Sequence, residues 1–166
     1  MHKHETISNN QIIDLGVLNE SKIKDFTNKH FLKYYSWFDH ESISSTLGYI
    51  DQEWLDFVLG TEGFKQFSFV DNEKLIAVCG IYLPISDFDY YAILDFAVNP
   101  DYHNMGYGSK FLNEIIYNYY FNDSNCWKAI ISLENITAIK FFKYNGWQFE
   151  EIQDNEYSKY SYLKNK

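Results

Sequence analysis

The chain has 166 residues and a formal net charge of −9, which argues against a nucleic-acid binder, whose affinity rests on phosphate neutralisation by Lys and Arg. The charge suits a cationic partner such as a polyamine, an aminoglycoside or a basic N-terminus, and equally a surface that is acidic for solubility alone. Hydrophobic residues at 46% and aromatics at 20% fill a core readily and exclude a disordered chain, no apolar run reaches the length of a membrane span, and the length suits a single domain over residues 1–166.

In chain order, residues 1–10 are polar and read as a frayed N-terminal arm. They lack the apolar stretch of a signal peptide. Cys79 and Cys126 sit far apart in apolar surroundings, which reads as core thiols in a reducing compartment, so a cytoplasmic protein is expected. Ile23, Phe26, His30, Phe31 and Tyr34 outline a first helix. Asp51 can cap a second, with Trp54, Leu55, Val58 and Leu59 on its inner face and Gly60 as its stop. Phe67 to Val70 and Leu75 to Leu83 read as strands around the turn Asp71-Asn72-Glu73-Lys74.

A further strand runs from about Tyr90 to Val98 and stops at Pro100. A polar loop with Gly106 and Gly108 follows, and Phe111, Leu112, Ile115, Ile116 and Tyr119 then recur at helical spacing. A strand that passes through a glycine-containing loop into a helix N-terminus builds an anion site. The first-turn N–H groups have no intrahelical partner, the helix dipole adds positive charge, and glycine lets a phosphate approach the backbone. Two phosphate motifs are excluded. A P-loop needs a glycine five residues before Gly108-Ser109-Lys110, and a dinucleotide fingerprint needs a glycine where Phe111 stands. Trp127 to Leu133 reads as a buried strand, Asn135 caps a helix to Asn145, and Gly146 ends it. Strands near Trp147–Ile152 and Tyr157–Leu163 close the chain. Hairpins followed by a β-α-β crossover imply an α/β fold with a mixed sheet and helices on both faces.

The stretch Ala97-Val98-Asn99-Pro100-Asp101-Tyr102-His103-Asn104-Met105-Gly106-Tyr107-Gly108 resembles the V-x-P-x-x-[Q/R]-x-x-G-x-[G/A] motif of the GCN5-related N-acetyltransferase (GNAT) superfamily. Downstream, Asn135-Ile136-Thr137-Ala138-Ile139-Lys140-Phe141-Phe142-Lys143-Tyr144-Asn145-Gly146-Trp147 resembles that superfamily's N-x-x-A-x-x-[L/F]-Y-x-x-x-G-F. The resemblance implies a mostly antiparallel central sheet whose central strands splay apart. It also implies acetyl transfer from acetyl-CoA to a primary amine, without a metal.

On the same resemblance, the backbone of Phe96 and Val98 would bind the pantetheine arm. The loop of His103, Asn104, Met105, Gly106, Tyr107, Gly108 and Ser109 would bind the pyrophosphate, and Asn135 and Phe142 would face the cosubstrate from the next helix. Asn135 reads equally as a plain helix cap. The loop departs from the family pattern because Asn104 and Met105 stand where Arg or Lys is usual. Phosphate binding then rests on main-chain N–H groups, with His103 and Lys110 as possible helpers. Phe142 replaces the tyrosine that often protonates the leaving thiolate. Tyr144 lies about 200° further round the helix and does not substitute for it.

Strand alternation groups Ile93, Asp95 and Ala97 on one face and Leu94, Phe96 and Val98 on the other. A charge in mid-strand is costly unless it is paired or lies at a cleft. Asp95 therefore reads either as the general base or as a structural carboxylate. On the resemblance, the segment between the N-terminal helices is where the superfamily places acceptor specificity, so Trp37 and Asp39, with Tyr91, are the acceptor-side candidates. Trp37 also reads as a packing residue, while an aromatic-acidic pair suits a cationic amine. His2, His4, His30, His40 and His103 show no metal-ligand spacing. The resulting expectation is an N-acetyltransferase that moves acetyl by direct transfer to a primary amine of a small-molecule acceptor, as a monomer or homodimer, with a protein amine as the other acceptor considered. A non-catalytic acyl-CoA-binding domain and a protein N-terminal or lysine acetyltransferase are the alternatives.

Overall fold

The structure is a computed structural model that describes residues 22–118 and 120–165. The expected N-terminal arm of residues 1–10 and Tyr119 lie outside the described residues. In chain order the elements are β1 (Ile23–Asp25), α1 (Asn28–Tyr35), a 3-10 turn (Ser36–Asp39), α2 (Glu41–Ser44), α3 (Gln52–Gly60), β2 (Phe64–Asp71), β3 (Lys74–Tyr82) and β4 (Tyr91–Val98). A second 3-10 turn (Pro100–Tyr102) leads to α4 (Tyr107–Ile116), β5 (Cys126–Ser132), α5 (Ile136–Tyr144), β6 (Gln148–Gln153) and β7 (Tyr157–Leu163). The strands form one seven-stranded sheet in the order β1-β2-β3-β4-β5-β7-β6. Among the described strands only β4 and β5 run parallel; every other neighbouring pair is antiparallel. The α/β class with a mixed, mostly antiparallel sheet is as expected.

Ile23 does not belong to the first helix. It starts an edge strand paired with Phe69, and the helix begins five residues later at Asn28. The helical spacing of Ile23 with Phe26 was fortuitous, because a three-residue strand is too short to show its own period. Elsewhere the punctuation reads as expected. Asp51 accepts from the Trp54 N–H at 2.9 Å, and Asn135 accepts from the Ala138 N–H at 3.0 Å. Asn72 and Glu73 both have positive φ (47° and 62°), as a two-residue hairpin turn matched to the strand twist requires.

Two apolar layers cover the sheet. On one face Phe111, Leu112, Ile115 and Ile116 of α4 and Phe142 of α5 pack on Phe69, Cys79, Ile93 and Trp127. On the other, Tyr34 of α1, Ile43 of α2 and Leu55 and Val58 of α3 pack on Phe64, Val78 and Ala97. Helices thus lie on both faces, with the sheet's central strands between two hydrophobic layers.

Strand β4 carries two irregularities that make the site. First, its register against β3 shifts: Gly80 pairs with Asp95 and Ile81 with Ile93, so Leu94 is a bulge residue without an opposite number. Alternation breaks there. Ile93 belongs to the α4–α5 layer, while Ala97 belongs to the α1–α3 layer, so Ile93 and Asp95 do not share the face that simple alternation assigned them. Second, β4 pairs with β5 only from Tyr91 to Ile93, opposite Trp127 to Ala129. Beyond Ile93 the two parallel strands separate.

Candidate active site

The gap opened by this splay is a cleft of about 760 Å³. Its walls are the end of β4, the loop into α4, the start of α5 and the segment from Ser42 to Leu47. The Asn99 N–H donates to the Ile76 carbonyl at 2.8 Å, so ladder alternation makes Ala97 and Val78 the next hydrogen-bonded pair. The backbone groups of Phe96 and Val98 consequently point away from β3, into the cleft. An extended ligand could take the place of the missing strand there.

The loop ends in an anion-binding geometry. Asn104 and Gly106 both adopt left-handed backbone, with φ of 60° and 81°. The first intrahelical bond of α4 runs from the Lys110 N–H to the Gly106 carbonyl at 3.1 Å. The N–H groups of Tyr107, Gly108 and Ser109 therefore precede any helical acceptor, and all three residues line the cleft. Gly108 has a separate role. A Cβ there would lie 3.1 Å from the Phe141 ring and 3.4 Å from Val98, so glycine lets α4 sit close to α5 and β4.

Of the residues expected at the cosubstrate, Phe96, Val98, His103, Asn104, Gly106, Tyr107, Gly108, Ser109, Asn135 and Phe142 all line this cleft. Met105 does not; its side chain is turned to solvent, 64% exposed. The expected helpers are otherwise engaged. His103 Nε2 lies 2.8 Å from the Val98 carbonyl, which makes it the donor of that bond and fixes the loop to the strand end. Lys110 leans along α4 toward Glu114 and over the Phe69 ring. Phe142 is buried against Phe96, Phe141 and Trp147, and Tyr144 is an exposed residue at the rim.

On the opposite face of the sheet lies a second cavity of about 210 Å³, lined by Tyr34, Leu47, Gly48, Tyr49, Ile50, Trp54, Phe57, Val58, Phe64, Leu94 and Asp95. Leu47 borders both spaces. Among the described residues that line this cavity, Asp95 alone is charged. The Tyr34 hydroxyl donates to Asp95 Oδ1 at 3.1 Å, and Gln66 Nε2 donates to Oδ2 at 3.2 Å. Burial pushes the Asp95 carboxyl up from 3.8 to about 6, while the two donors partly counteract it. Burial, reinforced by the neighbouring carboxylate, holds the Tyr34 hydroxyl well above its ordinary value, so Tyr34 remains the donor. Gly80, opposite Asp95, makes this arrangement possible: a Cβ there would lie 2.5 Å from Gln66 Oε1 and 2.7 Å from Phe64.

The acceptor-side expectations fare differently. Tyr91 is fully buried in the other layer, stacked on Trp127, with its hydroxyl accepting from the Asp123 N–H. Trp37 packs edge-on against Tyr34 as a core residue, and Asp39 is exposed in the 3-10 turn; neither lines the cavity. Sequence reasoning missed Tyr34 and Gln66 as partners of Asp95, and the Leu47–Ile50 segment as a wall. A polar Gln66 beside an apolar strand, facing a mid-strand Gly80, was the available signal.

The sequence model of the Acetyltransferase (GNAT) family matches residues 26–147. The chain belongs to this family. A 51-residue segment, 31% of the chain, is 43% identical to the amino-acid acetyltransferase of Ectopseudomonas mendocina (strain ymp), but it spans only 12% of that protein's length. Among solved structures, an acetyltransferase from Thermus thermophilus superposes with a TM-score of 0.72 at 14% identity, covering 85% of this chain and 95% of that one. Campylobacter jejuni N-acetyltransferase PseH in complex with acetyl coenzyme A superposes at 0.64 and 17% identity, covering 87% and 99%. These likenesses show the fold. Among the described residues no cluster of His, Cys, Asp and Glu could hold a metal ion, and no helix is long and apolar enough to cross a membrane.

Proposed function

We propose that the chain is an acetyl-CoA-dependent N-acetyltransferase in which Asp95 takes up the proton lost by the acceptor amine. The observation that carries this is the placement of Asp95. It is a carboxylate with a raised pKa, at the wall of one cavity, one residue along β4 from the backbone that opens into the other.

Acetyl-CoA would supply an acetyl group activated as a thioester. The N–H groups of Tyr107, Gly108 and Ser109 would hold its pyrophosphate, and the main chain of Phe96 with the Val98 N–H its pantetheine arm, the Val98 carbonyl already accepting from His103. Tyr34 and Gln66 fix the Asp95 carboxylate, leaving it aimed at an amine in the 210 Å³ cavity. A carboxyl near 6 is ionised at neutral pH and still basic enough to accept a proton, directly or through one water, as the nitrogen forms its new bond to carbon. A bound ammonium first gives one proton to solvent, which frees its lone pair; a second leaves nitrogen for Asp95 as the C–N bond forms and the C–S bond breaks, and one arrives at sulfur, so each turnover releases one proton. With Phe142 buried and Tyr144 at the solvent rim, water supplies the proton to the departing thiolate.

The absence of a tyrosine at position 142 also keeps a second reading in view, a non-catalytic acyl-CoA-binding domain. Thiol release from acetyl-CoA in the presence of an amine panel separates the two: a binder consumes no acetyl-CoA, whereas the transferase releases CoA in an amine-dependent manner.

A further inference from the structure

We infer that the acceptor is a monoamine with a compact apolar, ring-bearing body, of the arylalkylamine type. The lining disfavours polyamines, amino acids and peptide termini. The inference deepens the transferase reading and rests on it for the chemistry, though not for the binding.

The cavity is larger than the roughly 150 Å³ that suffices for a benzene molecule in a dry protein interior, which leaves room for one ring and a short amine arm in its 210 Å³. Its deep walls are Tyr34, Phe64 and Val58, all nearly without solvent exposure, and its rim is Tyr49 and Phe57. The side-chain hydroxyls on these walls are already engaged. The Tyr34 hydroxyl donates to Asp95, and the Tyr49 hydroxyl lies 3.4 Å from that of Tyr35. Asp95 is therefore the single anchor for an ammonium group among the described lining residues, and aromatic faces around it add cation–π attraction.

A second cationic nitrogen would enter this lining without a carboxylate to meet it. The carboxylate of an amino acid would find no Lys, Arg or His among the described lining residues and would face Asp95 instead. An aminoglycoside or a peptide would bury several hydroxyl or amide groups in a mostly apolar lining whose remaining partners are the Trp54 indole and the main chain of Leu47–Ile50. What remains is one amine joined to an apolar body.

The test uses the full chain and three probes: 2-phenylethylamine, phenylalanine (the same body plus a carboxylate) and spermidine (two further amines). Binding is followed by quenching of Trp54, which lines the cavity, with Trp54→Phe assigning the signal. Turnover is followed by thiol release from acetyl-CoA. Quenching by 2-phenylethylamine is expected, with kcat/KM at least about a hundredfold above that for either competitor, the scale of a like-charge or unmatched-charge mismatch. Tyr49→Ala, at an exposed rim position, should raise KM for 2-phenylethylamine about tenfold with kcat nearly unchanged. Quenching without thiol release would support the acceptor class and refute the transferase reading. Turnover of spermidine or phenylalanine at or above the level of 2-phenylethylamine would refute the acceptor class and leave the transferase standing. Failure of all three amines to bind would overturn the acceptor class.

Discussion

Asp95→Asn separates catalysis from architecture because the structure gives the two roles opposite signs. Burial raises the Asp95 carboxyl from 3.8 to about 6, and at about 1.36 kcal/mol per unit this amounts to about 3 kcal/mol. Below the unfolded value both states are protonated and nothing is lost. As pH rises from there to about 6, the unfolded chain ionises first and the native state holds the extra proton, so stability falls. Above about 6 the full penalty is in place. Asparagine carries no such penalty. The new Nδ2 also has a ready acceptor, since Gln66 Oε1 is buried without a hydrogen-bond partner and needs only an amide turn to meet it. At neutral pH the variant should therefore melt at the wild-type temperature or above it, by about 2–4 °C per kcal/mol recovered. Meanwhile kcat/KM should fall about a hundredfold or more, as for removal of a general base. Thiol release measured from about pH 5 to about 9 should show wild-type kcat/KM declining as pH drops through about 6, and the variant should lack that limb. A melting temperature several degrees lower, with activity per folded molecule unchanged, would refute the reasoning and make Asp95 a scaffold residue.

Gly106→Glu should weaken acetyl-CoA binding about a hundredfold or more by setting like charge at the helix N-terminus. Gly106→Asn, tolerated at φ 81°, should stay within about tenfold by calorimetry. Gly80→Ala drives a Cβ into Gln66 and Phe64, so urea unfolding should register a loss of about 1–3 kcal/mol. Because the Gln66 bond holds the Asp95 pKa down, disturbing it should also move the acid limb to higher pH. Tyr144→Phe should leave kcat within about threefold; a hundredfold fall, the scale of a lost general acid, would mean that the rim tyrosine reaches the thiolate.

What could be read from the sequence was local chemistry with strong punctuation. The caps at Asp51 and Asn135, the hairpin turn at Asn72-Glu73 and the glycine loop into α4 each depend on a few neighbouring residues, and each is where the residue types place it. The cleft beside the end of β4 followed for the same reason, since the N–H groups that face it are consecutive backbone groups along one segment. The second cavity was not legible. Tyr34, Gln66 and Asp95 are separated by 61 and 29 positions along the chain and meet only because three elements stack. Trp37 and Tyr91 carried the right chemistry for an amine site, but packing claimed both: Trp37 lies against Tyr34 and Tyr91 against Trp127.

The bulge at Leu94 explains why one strand can serve both cavities. In unbroken alternation Asp95 would share its face with Ile93, and a carboxylate beside the α4–α5 layer would be stranded in apolar packing far from any acceptor. The extra residue rotates the chain once, leaving Ile93 on the α4–α5 side and bringing Asp95 to Tyr34 and Gln66 on the other. It falls where β5 parts from β4, so the backbone freed at Phe96 and Val98 begins as soon as the carboxylate has been turned. Deleting Leu94 while keeping the β3 pairing would make Ile93 and Asp95 neighbours in a regular ladder, which alternates them, so Asp95 would stay opposite Gly80 on the face of Tyr34 and Gln66. Where it folds, such a variant should keep amine-dependent thiol release with its acid limb, and calorimetry should still register acetyl-CoA, because the helix N-terminus at Tyr107 to Ser109 does not depend on the bulge. Loss of turnover in a folded deletion variant that still binds acetyl-CoA would mean that Leu94 itself, on the cavity wall, and not the face of Asp95, decides the reaction.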